Sequence, residues 1–252
     1  MKKIQKNSLL LPAVVVLSAA AWWLRRQLYA VAVDAKGLLI AGHPLEIALW
    51  AVVLAGAALV ITAVSGKDGS RVYEDNFAAS GPAALGHCLM GCTVLMMTLL
   101  HEVPMEGPVE KLWKLLGYLS APAMLWGGFC RLKGRKPFFG IHAGLCMYLL
   151  LYLISCYQLW SSNPQLQDYV FELLAAVALV LFSYQCAAFE AGIGSRRKQL
   201  ATGLLAVLLC GAANFRAQVP ALYAGGFVWA LTDLCRLDPP PKQEEVETHD
   251  PS

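Results

Sequence analysis

The stretch DYVFELLAAVALVLFSYQCAAFEAG (168–192) carries no charge between Glu172 and Glu190. At about 100° per residue, Ser183 falls about 20° from Glu172 on a helix and Glu190 returns to the same line. Asp168, Ala176, Leu179 and Cys186 belong to this stripe, whereas Phe171, Leu174, Val177, Val180, Leu181 and Phe182 take the opposite side. Acids and small residues on one face, with bulky apolar groups on the other, describe a helix that turns its narrow side into a bundle and its broad side to lipid. A carboxylate in such a place can hold a cation, relay a proton or pair with arginine. For Glu172 the basic partners at the same end of the chain's hairpins are Arg25, Arg26 and Arg216. Glu46, in HPLEIALW (43–50), repeats the theme one turn into a second apolar run. Two readings follow. In one, Glu46, Glu172, Ser183 and Arg216 are ligand-binding residues of a polar vestibule for a small solute. In the other, Glu172 is an interfacial acid that pairs with arginine and sets helix register.

The histidines raise the question of a cofactor. His87 and His101 lie about 40° apart on one apolar run, a spacing suited to two stacked haems. That arrangement needs a matching pair on another helix, and the fifth apolar run offers His142 alone. A single haem between His87 and His142 is the reduced version. His43, Glu46, His101 and Glu102 could supply donors for a rim metal. Neither outweighs the reading of satisfied or solvated histidines, so no cofactor and no metal are expected. The eight cysteines all fall in or beside apolar runs, with no C-x-x-C, and read as small buried residues. GHCLMGC (86–92) reads as close packing. No H-E-x-x-H, G-x-S-x-G or phosphate loop occurs, so no catalytic residue is assigned.

The elements that position these groups follow from composition. Apolar residues make up 58% of the 252-residue chain and charged residues 15%, against about 45–50% and about 25% for a soluble domain. Eight runs approach the roughly 20 residues that a helical span needs: 8–24, 44–64, 81–100, 112–130, 138–159, 169–191, 199–215 and 219–235. The first, seventh and eighth are short, which leaves seven as the alternative count. The runs are continuous rather than alternating, which excludes a membrane barrel. The reading is an all-α polytopic membrane protein, one transmembrane domain over 1–236 and a disordered, acidic, proline-rich tail over 237–252. With Met1 inside, fourteen of the twenty Lys and Arg residues fall in inner segments. The positive-inside rule then places both termini in the cytoplasm and the chain in the cytoplasmic membrane. RLKGRK (131–136) reads as an inner-loop anchor, and nothing in the charge pattern calls for nucleic acid. Trp22 and Trp23 mark an uncleaved first span rather than a signal peptide. The 65–80 loop reads as solvated, with Tyr73 and Phe77 as an aromatic patch that a cytoplasmic partner could use.

Two further patterns stand out. PAMLWGGF (122–129) and PALYAGGF (220–227) match in Pro, Ala, Gly, Gly and Phe at equal spacing, the signature of a 4+4 repeat if the other helix pairs match too. GIHAG (140–144) is a G-x-x-x-G, which makes Gly140 and Gly144 either an internal contact or the face for a homodimer or another membrane protein.

DAKGLLIAGHPLEIAL (34–49), NPQLQDYVFELLAAVAL (163–179) and AAFEAGIGSRRK (187–198) resemble a group of multi-pass bacterial membrane proteins with no assigned activity. The resemblance implies a shared membrane fold and no substrate. The function class expected is a non-enzymatic module that binds or passes a small solute through a polar-lined helix bundle. The alternatives are a structural or regulatory subunit of a membrane complex, then a haem-bearing anchor or intramembrane enzyme.

Overall fold

The computed structural model describes residues 2–33, 39–40, 42–64, 71–74, 76–100, 107–138, 140–161, 166–215, 217 and 219–235, with backbone alone at 2–8, 160–161 and 166–168. Eight helices account for nearly all of them: α1 (Lys2–Val31), α2 (Pro44–Ala63), α3 (Gly81–Leu100), α4 (Gly107–Leu132), α5 (Ile141–Ser161), α6 (Leu166–Glu190), α7 (Arg196–Ala213) and α8 (Pro220–Leu234). Among the described residues there is no strand, only an isolated bridge between Val33 and Leu39. The chain is therefore an all-helical membrane protein. Five helices are long and apolar enough to cross a bilayer: the 9–31 part of α1, α2, α3, the 141–159 part of α5, and the 169–190 part of α6. The acidic tail, Arg216 and the 101–106 connection that holds His101 and Glu102 lie outside the described residues.

Outward faces are apolar, as lipid requires. On α2, Ile47, Leu54 and Ile61 recur every seven residues and are 63%, 62% and 64% exposed. Inward faces are narrow. Helices α3 to α8 pack in sequence, and α8 closes the ring back onto α3. The α1–α2 pair lies outside this ring against α7. Helix α7 thus has helices on several sides, and residues such as Gly203, Ala206, Val207 and Cys210 are buried. This explains why α7, at 18 residues and with an Arg-Arg-Lys start, reads as marginal for a span. A helix wrapped by other helices gains its stability from packing and needs no lipid-facing stripe.

Glycine sets how closely the helices approach. A Cβ on Gly128 of α4 would sit 2.9 Å from the Ala84 carbonyl oxygen of α3, and one on Gly91 of α3 would sit 3.0 Å from the Ala121 carbonyl oxygen of α4. On the α8 side of α3, a Cβ at Gly86 would strike the Thr232 hydroxyl and one at Gly225 would lie 2.6 Å from Thr93 Oγ1. The two P-A-x-x-x-G-G-F helices, α4 and α8, therefore both use glycine to pack on the same helix, α3. Of the helix pairs that a 4+4 repeat would relate, α3–α4 and α7–α8 are both packed, as are α1–α2 and α5–α6, while α6 packs on α7 and the corresponding α2 and α3 are not among the packed pairs.

The GIHAG pair divides in the same manner. Gly140 precedes α5 with φ of +110°, a backbone region that side chains disfavour, and its Cβ position is open. Gly144 lies in α5, where a Cβ would meet Ser120 Oγ of α4 at 3.3 Å. One glycine makes a turn and the other an internal contact.

Gly128→Val is expected to lower stability by about 1–3 kcal/mol, the usual cost of overpacking a tight contact. Gly81→Ala, where no atom lies within 4 Å, is expected to stay within about 0.5 kcal/mol. Thermal unfolding of the two variants in detergent checks the contrast.

Candidate functional site

Polar side chains inside the bundle gather at its two ends. The first group joins α1, α6 and α7 at the end where α2 begins. Arg25 and Glu172 are 2% and 1% exposed, with Arg25 Nη2 3.8 Å from Glu172 Oε1. The Arg25 Nη1 group also donates to the Ala212 and Ala213 carbonyls at 3.1 and 3.0 Å. These are the last carbonyls of α7, which lack intrahelical partners and carry the negative end of the helix dipole. Arg25 therefore satisfies one helix terminus and one carboxylate together, with its guanidinium 5.5 Å from the Phe171 ring centroid. The Tyr223 hydroxyl donates to the Glu172 backbone carbonyl at 3.2 Å, and Tyr152 Oη lies 3.3 Å from Tyr223 Oη. Of the three arginines suited to Glu172 by sequence, Arg25 faces it among the described residues.

Beside this pair lies a cavity of about 120 Å³ bordered by Arg25, Tyr29, Leu39, Glu46, Trp50 and Phe171. Glu46 sits in the first turn of α2, where its Oε2 accepts from the Gly42 N–H at 2.9 Å. Trp50 and Phe171 have ring centroids 4.8 Å apart. The structure thus brings Glu46 next to Arg25, and through Arg25 next to Glu172. Ser183 lies eleven residues along α6, about 16 Å away, in the other polar group.

That second group occupies the basic end, where the Lys- and Arg-rich connections meet. His142 opens α5 and Glu190 closes α6. His142 Nδ1 is 2.7 Å from Glu190 Oε1, and the His142 backbone N–H reaches Glu190 Oε2 at 3.4 Å. The carboxylate therefore faces the N-terminus of α5, where unpaired N–H groups favour negative charge. Ser183 Oγ donates to the His142 carbonyl at 2.9 Å. Across the bundle, His142 Nε2 lies 3.2 Å from His87 Nε2, and His87 Nδ1 lies 2.8 Å from the Ala83 carbonyl oxygen. Trp229 of α8 stacks on His142 at 5.7 Å with an 8° interplanar angle.

An ion pair adjoins this chain of contacts. Arg131 Nη2 of α4 is 2.9 Å from Asp233 Oδ1 of α8, both buried. Gln199 of α7 adds contacts at 3.5 Å to Asp233 Oδ2 and 3.2 Å to Cys186 Sγ. Arg131 also holds the preceding connection: its Nη1 reaches the Ala78 carbonyl at 3.4 Å, and its own carbonyl accepts from the Ser80 N–H at 3.0 Å. The guanidinium lies 4.6 Å from the Phe77 ring centroid, and Phe77 packs edge-on against Phe189. Burial raises the Tyr73 phenol above its ordinary pKa while Arg131 opposes the rise, so Tyr73 stays neutral.

Several expectations change here. Arg131 is a buried ion-pair partner, while Lys133, Arg135 and Lys136 of the same RLKGRK run are exposed. Tyr73 and Phe77 are buried against the chain's own bundle rather than offered to a partner. Phe171 and Phe182, placed toward lipid by the helical projection, are buried on Trp50 and Trp229. Glu190 bonds to His142, whereas Arg196, its neighbour in sequence, donates to Asn76 Oδ1 at 3.1 Å. His87 and His142 do meet, but axial ligation of one iron would separate their nitrogens by about 4 Å, twice a metal–nitrogen bond of roughly 2 Å, with a macrocycle between them. Their 3.2 Å spacing is a hydrogen-bond distance. Among the described residues no three His, Cys, Asp or Glu side chains group to hold a metal. The meeting of His142 with Glu190 and of Arg131 with Asp233 was not read from sequence. Its only signals were the shared α6 stripe and an acid late in the last apolar run.

No protein family matches the chain, and no match is found among curated proteins or solved structures. The class is defined by the molecule itself: a helical membrane protein with a buried ion pair near one end and a buried His–Glu network with a second ion pair at the other.

Glu172→Gln is expected to lower stability by about 3–5 kcal/mol, because it removes the carboxylate charge that faces the buried Arg25. Replacing both partners, Arg25→Met with Glu172→Leu, is expected to recover much of the loss. Unfolding midpoints of the three proteins at one pH measure the difference.

Proposed function

We propose that this protein is a non-enzymatic membrane module that binds a small cationic solute of the alkylammonium class at the cavity between α1, α2 and α6. The observation that carries this reading is that Arg25 and Glu46, from two helices, border one cavity walled by Trp50 and Phe171. The charges decide the sign of the solute. Arg25 is offset by Glu172 and spends Nη1 on two α7 carbonyls. Glu46 commits Oε2 to Gly42, and its Oε1 has no hydrogen-bond partner among the described residues. Among the described residues these three charges sum to minus one, which favours a cation. Indole and phenyl faces attract an ammonium group through their quadrupoles. A volume of about 120 Å³ equals the liquid share of about four waters, enough for an ammonium with a short alkyl group. Glu172 supports the site from behind by holding Arg25. Of the remaining two residues of the sequence-derived set, Ser183 belongs to the other end, and Arg216 lies outside the described residues.

In the same reading the eight helices all cross the cytoplasmic membrane of a bacterium, with α4, α7 and α8 completing the spans. The positive-inside rule sets the basic end and both termini in the cytoplasm, and the cavity then opens toward the outer side. The competing reading is a docking subunit; of its two motif glycines, Gly144 faces Ser120 of α4.

Methylammonium, ethylammonium and tetramethylammonium are expected to raise the unfolding midpoint of the purified protein in a concentration-dependent way. The gain reaches about 2.7 kcal/mol at a hundredfold excess over Kd. Sodium and acetate at equal ionic strength should not do so. Glu46→Gln, which keeps an acceptor for Gly42, should remove the response. Equal shifts in wild type and Glu46→Gln, or no shift with any amine, would refute the site.

A further inference from the structure

The Glu190–His142–His87 chain has a proton count that its donors and acceptors fix. His87 Nδ1 faces the Ala83 backbone carbonyl at 2.8 Å. A carbonyl only accepts, so Nδ1 carries hydrogen. Between His142 Nδ1 and Glu190 Oε1, 2.7 Å apart, one proton lies on whichever atom holds it. The two Nε2 atoms stand 3.2 Å apart. Without a proton between them two lone pairs would face each other inside an apolar bundle, so this axis carries one as well. The three residues together hold three protons. Two neutral imidazoles and a carboxylate hold two.

We propose that His87, His142 and Glu190 form a proton-binding site that takes up and releases one proton along the Nε2–Nε2 axis. The added proton has three places to reside. On Glu190 it leaves both rings neutral. Transfer from Oε1 to His142 Nδ1 makes His142 the imidazolium and Glu190 the carboxylate. Breaking the His142 Nε2–H bond as His87 Nε2–H forms moves the charge onto His87. Each step passes one proton across an existing hydrogen bond, and the group stays neutral overall.

The surroundings suit this role. Ser183 and the His142 backbone N–H hold the start of α5 against α6, which fixes the His142 ring. Trp229 stacks on His142 and meets His87 edge-on, offering an aromatic face to an imidazolium. The other titratable groups near the site are Asp233 and Arg131, which compensate each other, together with Cys130, Cys186 and Tyr73. Rings whose second nitrogen is held by a carboxylate or a carbonyl also occur as metal ligands. No third donor joins this pair among the described residues, so the cation assigned to the axis is the proton.

The test uses the full-length protein, labelled with nitrogen-15 histidine, purified in detergent and treated with chelator, at neutral pH. Spectra are expected to show a coupling between the Nε2 nuclei of His87 and His142 across a shared proton. Potentiometric titration is expected to show one proton fewer taken up by both His87→Gln and Glu190→Gln, with loss of the coupling. If either variant fails to fold, the other and the wild-type spectrum decide. The assignment is overturned if both Nε2 nuclei of folded wild type show unprotonated shifts without coupling. It is equally overturned if stoichiometric metal co-purifies and its removal moves the two ring signals.

Discussion

Arg25 shows the constraint on which the bundle rests. A helix that ends inside protein and lipid leaves four carbonyls without partners, and no bulk water is at hand to satisfy them. Arg25 donates to two of these on α7 and places its remaining charge against Glu172. One side chain thereby joins α1, α6 and α7. At the basic end the sign is reversed: α5 begins with unpaired N–H groups, and the Glu190 carboxylate meets them while holding the His142 ring. Arg25 and Glu190 thus sit where a neighbouring helix terminus carries partial charge of the opposite sign, which lowers the cost of removing them from water.

Close approach of the helices makes these contacts reachable. Gly86, Gly91, Gly128 and Gly225 bring α3 against α4 and α8 until backbone nearly touches backbone. At that separation His87 on α3 reaches His142 on α5, and Arg131 on α4 reaches Asp233 on α8. Side chains at these contact points would widen the gaps and strand the polar groups. The glycines and the ion pairs are therefore coupled features, although they lie on different residues.

The two polar ends differ in kind. At one, a cavity borders an ion pair, with a Glu46 oxygen that has no hydrogen-bond partner among the described residues. At the other, rings and carboxylate are in direct contact and leave no room for a solute. Between them the α6 face is apolar at Ala176 and Leu179, both buried. The proposed solute belongs to the first end and the proposed proton to the second. The apolar stretch separates the two chemistries by roughly 16 Å, the rise along α6 from Glu172 to Ser183.

Continuous apolar runs determined the helical membrane class, because backbone groups in lipid must be satisfied within each segment. They also located seven of the helices to within about five residues, while α1 extends six and seven residues beyond its apolar run. The α6 stripe was legible too: Glu172, Ala176, Leu179, Ser183, Cys186 and Glu190 share a buried face, since helical periodicity is a local property. Pairing was not. Sequence offered Glu172 three arginines, offered Glu190 no partner and made Arg131 a loop anchor. Only the packing of α1 on α7, of α5 on α6 and of α4 and α8 on α3 chose Arg25, His142 and Asp233. Side chains more than forty positions apart meet through helix order and crossing, which depend on the shapes of whole faces, and no local spacing encodes them.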